Sequence, residues 1–313
     1  MSFFTPKWDV IRLLRRIKHS WLAETMNLYH GDCLEILPTF PPASVEAIIT
    51  DLPYGTTACE WDSIIPLAPM WEQVKRVLKA NGVFVTTASQ PFTSALIMSN
   101  PKWFRYEWIW FKNKGSNFLS VEYRPLKEHE NILVFSPNSH LYNPQYEIRS
   151  EVGIQRMKYK MDSNRGTDPI TGQKTTAKPR KEMGDKKMPG SIQFFICEMG
   201  EHPTQKPVKL YEYLIRTYTN AGDTVLDFCM GSGTTLIAAK QTGRNGIGIE
   251  KDKGYFEIAS RRIAQAPQPL FTELPRQPTL PAPDGGESAP SQSLSTPDMF
   301  SAIEHEPTPA PRR

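Results

Sequence analysis

The sequence predicts an open, doubly wound α/β sheet of seven strands. Short runs rich in β-branched and aromatic residues alternate with helical patterns along most of the chain. Several of these runs are continuously apolar, which is typical of strands covered by helices on both faces. One of them leads into a turn of small residues and then a helix, so we expect a ligand site at the carboxyl ends of the strands.

Strands and helices can be assigned in chain order. The predicted strands are residues 27–30, 45–50, 83–87, 107–111, 131–135, 224–228 and 246–250. Helices able to cover this sheet are predicted at residues 67–79, 208–219 and 235–242. A chain of 313 residues can bury one substantial core of this kind, with a small second module beside it.

Composition separates both ends from this core. Residues 1–25 contain a short basic amphipathic run and are predicted to be an N-terminal extension. Residues 266–313 are rich in Pro and Ser without a period and are predicted to be a disordered tail. No run approaches the roughly 20 apolar residues that cross a bilayer, so we expect no membrane partner and a cytoplasmic location. The four cysteines form no C-x-x-C pair, and no metal site is expected.

The strongest pattern for a bound ligand lies at residues 223–235. Gly231 and Gly233 let the backbone pass close to a ligand, and Asp227 at the end of the strand offers a carboxylate to a cationic amine. Glu250 lies 17 residues after Gly233, close to the spacing at which an acidic residue binds ribose hydroxyls. A dinucleotide would want a third glycine and a P-loop a Gly-Lys-Ser or Gly-Lys-Thr, and both are missing. The pattern therefore favours a nucleoside ligand without a pyrophosphate, such as S-adenosylmethionine.

A second pattern follows the apolar strand at residues 45–50. The tetrapeptide Asp51-Leu52-Pro53-Tyr54 offers an ionised acceptor, a backbone carbonyl, a stiffening proline and an aromatic face. If Asp51 and the carbonyl of Leu52 accept the two N–H groups of a base amine, its nitrogen lone pair becomes localised and can attack a sulfonium methyl. That amine is out of reach in a stacked duplex, so the base must be flipped out, and Tyr54 can stack on it.

Together these patterns resemble the amino-methylating DNA methyltransferases, in the beta arrangement where the catalytic tetrapeptide precedes the cofactor glycines. The resemblance covers most of residues 26–262. It implies a Rossmann-like methyltransferase sheet with circularly permuted motifs and S-adenosylmethionine as cofactor. The family usually has proline where Leu52 stands, which leaves the loop less rigid but keeps the carbonyl. Asp51 favours adenine N6 as the target, since members that methylate cytosine N4 commonly have Ser at that position.

The resemblance also implies roles for further residues. Asp32, in the acidic turn at residues 31–35, would contact the cofactor adenine, and Thr204 and Lys206 would hold the methionine carboxylate. The implied cofactor site is completed by Asp227, Phe228, Gly231, Gly233, Thr234 and Glu250. Residues 26–135 would form the catalytic half of the domain and residues 196–265 the cofactor-binding half.

Residues 136–195 lie where this family carries its DNA target-recognition region. Between residues 149 and 187 there are 11 Lys or Arg against 5 Asp or Glu, a local charge of +6 in a chain of net charge +4. Such a basic segment on a near-neutral body is expected to bind the phosphates of double-stranded DNA. The residues expected to do so are Arg149, Arg156, Lys158, Lys160, Arg165 and Lys174.

Other functions fit the residues less well. Cytosine-C5 methylation needs a nucleophilic cysteine after a proline, and no cysteine follows one. Protein-glutamine and RNA methyltransferases with a related tetrapeptide typically have their cofactor glycines first and lack this basic insert. Cytosine-N4 methylation is the alternative, and the non-enzymatic one is a DNA-binding or anti-restriction protein on a decayed methyltransferase fold. A homodimer and a cognate restriction endonuclease stay open as partners, in a prokaryotic or phage-infected cell.

Overall fold

The computed structural model describes residues 25–55, 62–160, 185–198 and 205–267. The strands in these residues are β1 (Met26–His30), β2 (Val45–Asp51), β3 (Leu78–Ala88), β4 (Phe104–Ser116), β5 (Lys127–Phe135), β6 (Glu147–Ile148), β7 (Lys186–Lys187), β8 (Ile192–Phe195), β9 (Thr224–Asp227) and β10 (Asn245–Glu250). The α-helices are α1 (Cys33–Ile36), α2 (Leu67–Val77), α3 (Phe92–Ser99), α4 (Glu151–Lys160), α5 (Val208–Tyr218), α6 (Thr234–Gln241) and α7 (Lys253–Gln265). Short 3-10 helices span Leu37–Thr39 and Phe118–Ser120.

Eight of these strands form one sheet in the order β1-β10-β9-β2-β3-β5-β4-β8. The first five run parallel, β5 is antiparallel to both of its neighbours, and β8 is parallel to β4. From the central pair of β9 and β2 the chain moves outward in opposite directions, to β10 through α6 and to β3 through α2. The boundary between β9 and β2 is therefore the switch point of the sheet, where doubly wound folds form their ligand cleft.

Helices cover both faces of the sheet, as the continuous apolar strands predict. Because successive strand residues point to opposite faces, Ile48 joins the core under α1, α2 and α3, whereas Ala47 and Ile49 join the core under α5 and α6. The helices supply apolar stripes at helical spacing. The stripe of α2 is Met70, Trp71, Val74 and Val77, and that of α5 is Leu210, Tyr211, Leu214, Ile215 and Tyr218.

The predicted fold class is confirmed, with corrections in detail. The sheet has eight strands rather than seven because β8 adds to its edge beside β4. Ile192 and Phe194 on β8 are exposed, so this strand is held by backbone pairing and carries no buried apolar run that could reveal it. The helix predicted at residues 67–79 ends at Val77, because Leu78 already belongs to β3. The helices α1, α3, α4 and α7 are absent from the prediction.

The predicted terminal segments lie almost wholly outside the described residues. Residues 136–195 contribute α4, the two-stranded ribbon of β6 and β7, and β8. Within the described residues, no helix has both the length and the apolar character required to span a bilayer.

Candidate active site

Both sequence motifs lie at the switch point of the sheet. Ala47 and Ile48 on β2 pair with Val225 and Leu226 on β9, so the two strands end side by side. Asp51 ends β2 and Asp227 ends β9. The hydroxyl of Thr50 donates to Oδ1 of Asp227 over 2.7 Å and thereby joins the two strand ends. Two motifs that are 176 positions apart in the chain thus form one site.

A single cleft of about 1570 Å³ opens at these strand ends. It is lined by most of the predicted catalytic and cofactor-binding residues, namely Asp32, Asp51, Leu52, Pro53, Tyr54, Lys206, Asp227, Phe228, Gly231, Thr234 and Glu250. Gly233 is not among the lining residues, and Thr204 lies outside the described part of the chain. The structure therefore brings the tetrapeptide and the glycine turn to a common cavity.

The Asp51 carboxylate is held by three side-chain donors. Its Oδ1 accepts a hydrogen bond from the hydroxyl of Tyr54 over 2.9 Å and another from the hydroxyl of Thr87 on β3. Its Oδ2 accepts from the ammonium of Lys206 over 2.7 Å. An ionised carboxylate offers about four lone-pair sites, so one acceptor direction is left for a further N–H donor in the cleft.

The rest of the tetrapeptide is fixed by its neighbours. Leu52 is buried in the core under α2, which explains how an apolar side chain replaces the family's proline at this position. The carboxylate of Asp62 accepts hydrogen bonds from the backbone N–H groups of Tyr54 and Gly55, over 2.8 and 2.9 Å. The Tyr54 ring stacks on Phe92 with 5.6 Å between centroids. Burial raises the pKa of the Tyr54 hydroxyl well above its usual range, so this hydroxyl stays a donor to Asp51.

Asp227 is the most buried carboxylate of the site, with 2% of its surface exposed. Oδ1 accepts from Thr50 and from the backbone N–H of Cys229, and Oδ2 accepts from the hydroxyl of Thr235. Burial raises the pKa of Asp227 to about 7, although these hydrogen bonds act to lower it. A cationic partner in the cleft would favour its ionised form.

The glycine turn between β9 and α6 depends on backbone conformations that favour glycine. Gly231 and Gly233 have φ angles of 51° and 82°, in the left-handed region. A Cβ atom on Gly233 would lie 3.1 Å from Cβ and 3.3 Å from Cα of Ala259 on α7. Gly233 therefore shapes the turn and lets α7 approach, while Gly231 faces the cleft.

Glu250 and Asp32 stand at the ends of two neighbouring strands, β10 and β1. Glu250 accepts hydrogen bonds from the backbone N–H groups of Gly231 and Asp252, each over 2.8 Å, and burial raises its pKa. Asp32 accepts from the backbone N–H of Leu34 and from the ammonium of Lys251. Partial burial acts to raise the pKa of Asp32, but these two donors outweigh it and lower the pKa.

Sequence reasoning missed one part of the site. Lys206, expected at the cofactor carboxylate, contacts Asp51 and lies 3.5 Å from Oε2 of Glu130 on β5. Glu130 also pairs with Lys112 on β4 over 3.1 Å. Neither Glu130 nor Lys112 belongs to a recognisable motif, and the signal that could have found them is the pairing of β4 with β5, which the sequence does not reveal.

The six basic residues of the predicted DNA-binding segment are only partly described. Arg149 is half-buried, and its side chain donates to the backbone carbonyl of Lys186, which belongs to the ribbon of β6 and β7. Arg156, Lys158 and Lys160 lie on α4, but their side chains are outside the described part of the structure, and so are Arg165 and Lys174.

Curated relatives that match most of the chain include two methyltransferases. The type II methyltransferase M.HpaI of Haemophilus parainfluenzae is 27% identical over 253 residues, which are 76% of this chain and 74% of the relative. The DNA adenine methyltransferase YhdJ of Escherichia coli is 26% identical over 273 residues, which are 80% of this chain and 87% of the relative.

Solved structures agree with these relatives. A complex of M1.HpyAVI with S-adenosylmethionine is similar with a TM-score of 0.53 and 27% identity, over 76% of this chain and 100% of that one. The cytosine-N4-specific PvuII DNA methyltransferase has a TM-score of 0.52 at 20% identity, over 76% of this chain and 86% of that one, and supports the fold alone.

The residues of the cleft fit S-adenosylmethionine. Buried and half-buried carboxylates stand at the ends of β9, β10 and β1, where an amino group and ribose hydroxyls need acceptors, and a glycine turn without a phosphate-binding lysine lies between them. The cofactor of this family is S-adenosylmethionine. The N6/N4 methyltransferase family model, described as DNA methylase, matches residues 45–261. The chain therefore belongs to the DNA methylases that act on the amino group of adenine N6 or cytosine N4.

Proposed function

We propose that this chain transfers a methyl group to N6 of adenine in double-stranded DNA, at a specific sequence. The observation that carries the proposal is the charged carboxylate of Asp51 at the end of β2, in the cleft that it shares with Asp227 and Gly231. A carboxylate is a strong acceptor for the N–H of an exocyclic amine. The adenine amine is the target that Asp at this position favours in the family.

The chemical role assigned to the chain is to localise the lone pair on the nitrogen of the target amine. Asp51 has one acceptor direction left after its bonds to Thr87, Tyr54 and Lys206, and the carbonyl of Leu52 follows it directly in the chain. If these two groups accept the N–H bonds of the amine, its nitrogen is no longer conjugated with the ring and becomes nucleophilic. When bound, S-adenosylmethionine supplies an electrophilic methyl group on its sulfonium.

The target adenine is proposed to reach Asp51 by leaving the base stack. Tyr54 borders the cleft beside Pro53, and one side of its ring packs on Phe92. The flipped base is proposed to stack on the part of the ring that Phe92 leaves uncovered, next to the ammonium of Lys206, which lies 5.6 Å from the ring centre, and this contact would contribute on the order of 1–3 kcal/mol.

The cofactor-binding roles are part of the same proposal. Asp227 is assigned to the cationic amine, Glu250 to the ribose hydroxyls and Asp32 to the adenine, because all three border the cleft at the ends of neighbouring strands. Gly231, Phe228 and Thr234 complete the wall on that side. Thr204 is assigned to the methionine carboxylate by its place in the family's motif, whereas the ammonium of Lys206 is already paired with Asp51 and Glu130.

Double-stranded DNA is the proposed macromolecular partner, held through the basic segment at residues 149–187. This activity belongs in the cytoplasm of a prokaryotic or phage-infected cell. M.HpaI is by name a type II methyltransferase, and the same assignment here would pair the enzyme with a restriction endonuclease of the same recognition site. To test that pairing, DNA methylated by this chain is treated with the restriction endonuclease whose gene lies nearest to the gene of this chain, and its resistance to cleavage is measured.

The base assignment is tested by methylating unmodified duplex DNA, digesting it and identifying the modified nucleoside by mass spectrometry. We expect N6-methyladenine with the wild-type chain and no methylated nucleoside with Asp51→Ala, whose affinity for S-adenosylmethionine should stay within about twofold because Asp51 is assigned to the base. N4-methylcytosine as the product would overturn the assignment to adenine. Cofactor binding without transfer to any DNA would favour the non-enzymatic alternative.

A further inference from the structure

Glu130 is a half-buried carboxylate between two ammonium groups at the edge of the catalytic cleft. Its Oε1 lies 3.1 Å from Nζ of Lys112 and its Oε2 lies 3.5 Å from Nζ of Lys206. The side chains of Lys112, Lys206 and Glu130 are 9%, 8% and 14% exposed. Charges this far from solvent are costly unless they are paired, so the arrangement is held together by its own charges.

Glu130 is linked to Asp51 indirectly, through Lys206 and Tyr54. Lys206 donates to Oδ2 of Asp51 over 2.7 Å, and its ammonium lies 5.6 Å from the centre of the Tyr54 ring. The hydroxyl of Tyr54 lies 2.9 Å from Oδ1 of Asp51 and 3.5 Å from Oε2 of Glu130. Glu130 therefore contacts the Lys206 ammonium and the Tyr54 hydroxyl, which hold Oδ2 and Oδ1 of Asp51.

The four charged side chains that are joined by direct ion pairs are balanced, and Lys127 on β5 adds a further positive charge that acts on Glu130 without a direct ion pair. Asp51 and Glu130 carry two negative charges, and Lys206 and Lys112 carry two positive ones. Burial acts to raise the pKa of Glu130, but Lys206 and Lys112 outweigh it and lower the pKa, so the carboxylate stays charged. Burial acts to lower the pKa of Lys206, but Asp51 and Glu130 outweigh it and raise the pKa.

We propose that Glu130 is a positioning residue for methyl transfer, acting on Asp51 through Lys206 and Tyr54. It fixes the lysine and borders the tyrosine hydroxyl, whose single proton goes to the nearer Asp51, so that the remaining acceptor direction of Asp51 faces the cleft. It also balances the second ammonium, since without Glu130 two positive charges would surround Asp51. A target nitrogen that gains positive charge as the methyl group arrives would then be repelled.

This inference rests on the methyl transfer that defines the family and holds whether the target is adenine or cytosine. Its failure is therefore distinguishable from that of the proposed base, because the first is measured as a rate and the second as the identity of the product.

The test compares Glu130→Gln with the double variant Glu130→Gln/Lys112→Met in the full chain. The single variant leaves two ammonium groups against one carboxylate, whereas the double variant restores a balanced pair of Lys206 and Asp51. We expect kcat of Glu130→Gln to fall at least about tenfold, with KM for S-adenosylmethionine within about twofold of wild type. The double variant should recover a substantial part of that loss, and Glu130→Asp, which keeps the charge, should lose less than Glu130→Gln.

A purely structural role for Glu130 makes the opposite prediction for the double variant. Removing a second buried side chain would add damage, so kcat would fall further and the melting temperature would fall with it. The proposal is overturned if folded Glu130→Gln keeps the wild-type kcat, if its loss appears in KM for the cofactor, or if the double variant is no faster than the single one. Where Glu130→Gln fails to fold, a folded Glu130→Asp variant with kcat at or below about one hundredth of wild type also overturns it, because that variant keeps the charge.

Discussion

The Asp227 carboxylate combines deep burial with a place on the wall of the cofactor cleft. Its pKa of about 7 means that the free protein gains or loses this proton near neutrality. An ammonium group binds the ionised carboxylate, so a proton on Asp227 must leave before the cofactor amine can pair with it. Below the pKa of Asp227, removal of its proton costs free energy and weakens cofactor binding. Above that pKa the carboxylate is already ionised, so cofactor affinity should rise with pH.

We expect the dissociation constant for S-adenosylmethionine to increase about tenfold between pH 8 and pH 6, because one pH unit below the pKa costs about 1.4 kcal/mol. Isothermal titration calorimetry across this range measures the change. Asp227→Asn is the matched control, since it keeps the shape of the side chain and cannot ionise. The variant should bind more weakly at pH 8 and show a nearly flat profile. An equally flat profile for the wild-type chain would remove Asp227 from the amine site.

The site residues that could be predicted from the sequence are neighbours in the chain, whereas those that were missed are brought together only by the pairing of strands. Asp51 and Tyr54, like Asp227 and Gly231, belong to short motifs whose members are neighbours in the chain, so their chemistry could be predicted. Glu130, Lys112 and Thr87 reach Asp51 only because β3, β5 and β4 lie side by side in the sheet. β3 pairs with β5 although β4 lies between them in the chain, and such a pairing leaves no local pattern, so the positioning group around Asp51 could not be predicted.

At the scale of elements, the turn between β9 and α6 and the turn before β9 offer a matched pair of glycines. Gly233 and Gly222 have nearly the same φ, 82° and 85°. A Cβ atom on Gly222 would meet nothing within 4 Å, whereas one on Gly233 would press on Cα and Cβ of Ala259 and on Cδ1 of Ile263. Alanine at either site therefore has the same backbone strain, and only at Gly233 does it crowd α7.

We expect Gly222→Ala to lower the free energy of unfolding by about 1 kcal/mol and Gly233→Ala to lower it by about 2–3 kcal/mol, since overpacking adds to the strain. Urea denaturation of both variants measures the two losses, and their difference reports the crowding alone. Gly233→Ala should also weaken cofactor binding, because α7 and the turn shift together. Equal losses at the two positions would contradict the role of Gly233 in bringing α7 close.

Strands and helices could be predicted where their burial requires a recognisable pattern of apolar residues. The strands at the centre of the sheet are apolar on both faces and were found, although β3 and β4 are longer than predicted because their ends are partly exposed. β8 was missed because its residues alternate between exposed and half-buried on an edge. The predicted helices were recognised by their apolar stripes. Their ends could be placed only within one or two residues, since a strand such as β3 can begin directly where α2 ends.

At the scale of the whole molecule, the order of the motifs along the chain is less important than their place in the sheet. The strand β2, which carries the tetrapeptide, comes early in the sequence and β9, which precedes the glycine turn, comes nearly last, yet the two are adjacent and end at the same edge. Chain order could be read from the sequence, and the resemblance supplied the adjacency. The inserted segment at residues 136–195 was assigned from the resemblance and from its charge, and its role in holding DNA stays a prediction.

The basic segment at residues 149–187 carries a local charge of +6 in a chain of net charge +4. If residues 149–187 hold the duplex, Arg156, Lys158 and Lys160 on α4 each neutralise a phosphate and release a counterion. Changing all three to Gln should reduce the slope of log affinity against log salt by about 2–3, whatever the DNA sequence. The matched control is the exposed set Lys102, Lys209 and Lys253, changed in the same way. Fluorescence anisotropy at several salt concentrations measures both slopes. Equal slopes for the two triple variants would place the duplex on another surface, because both variants lose the same net charge.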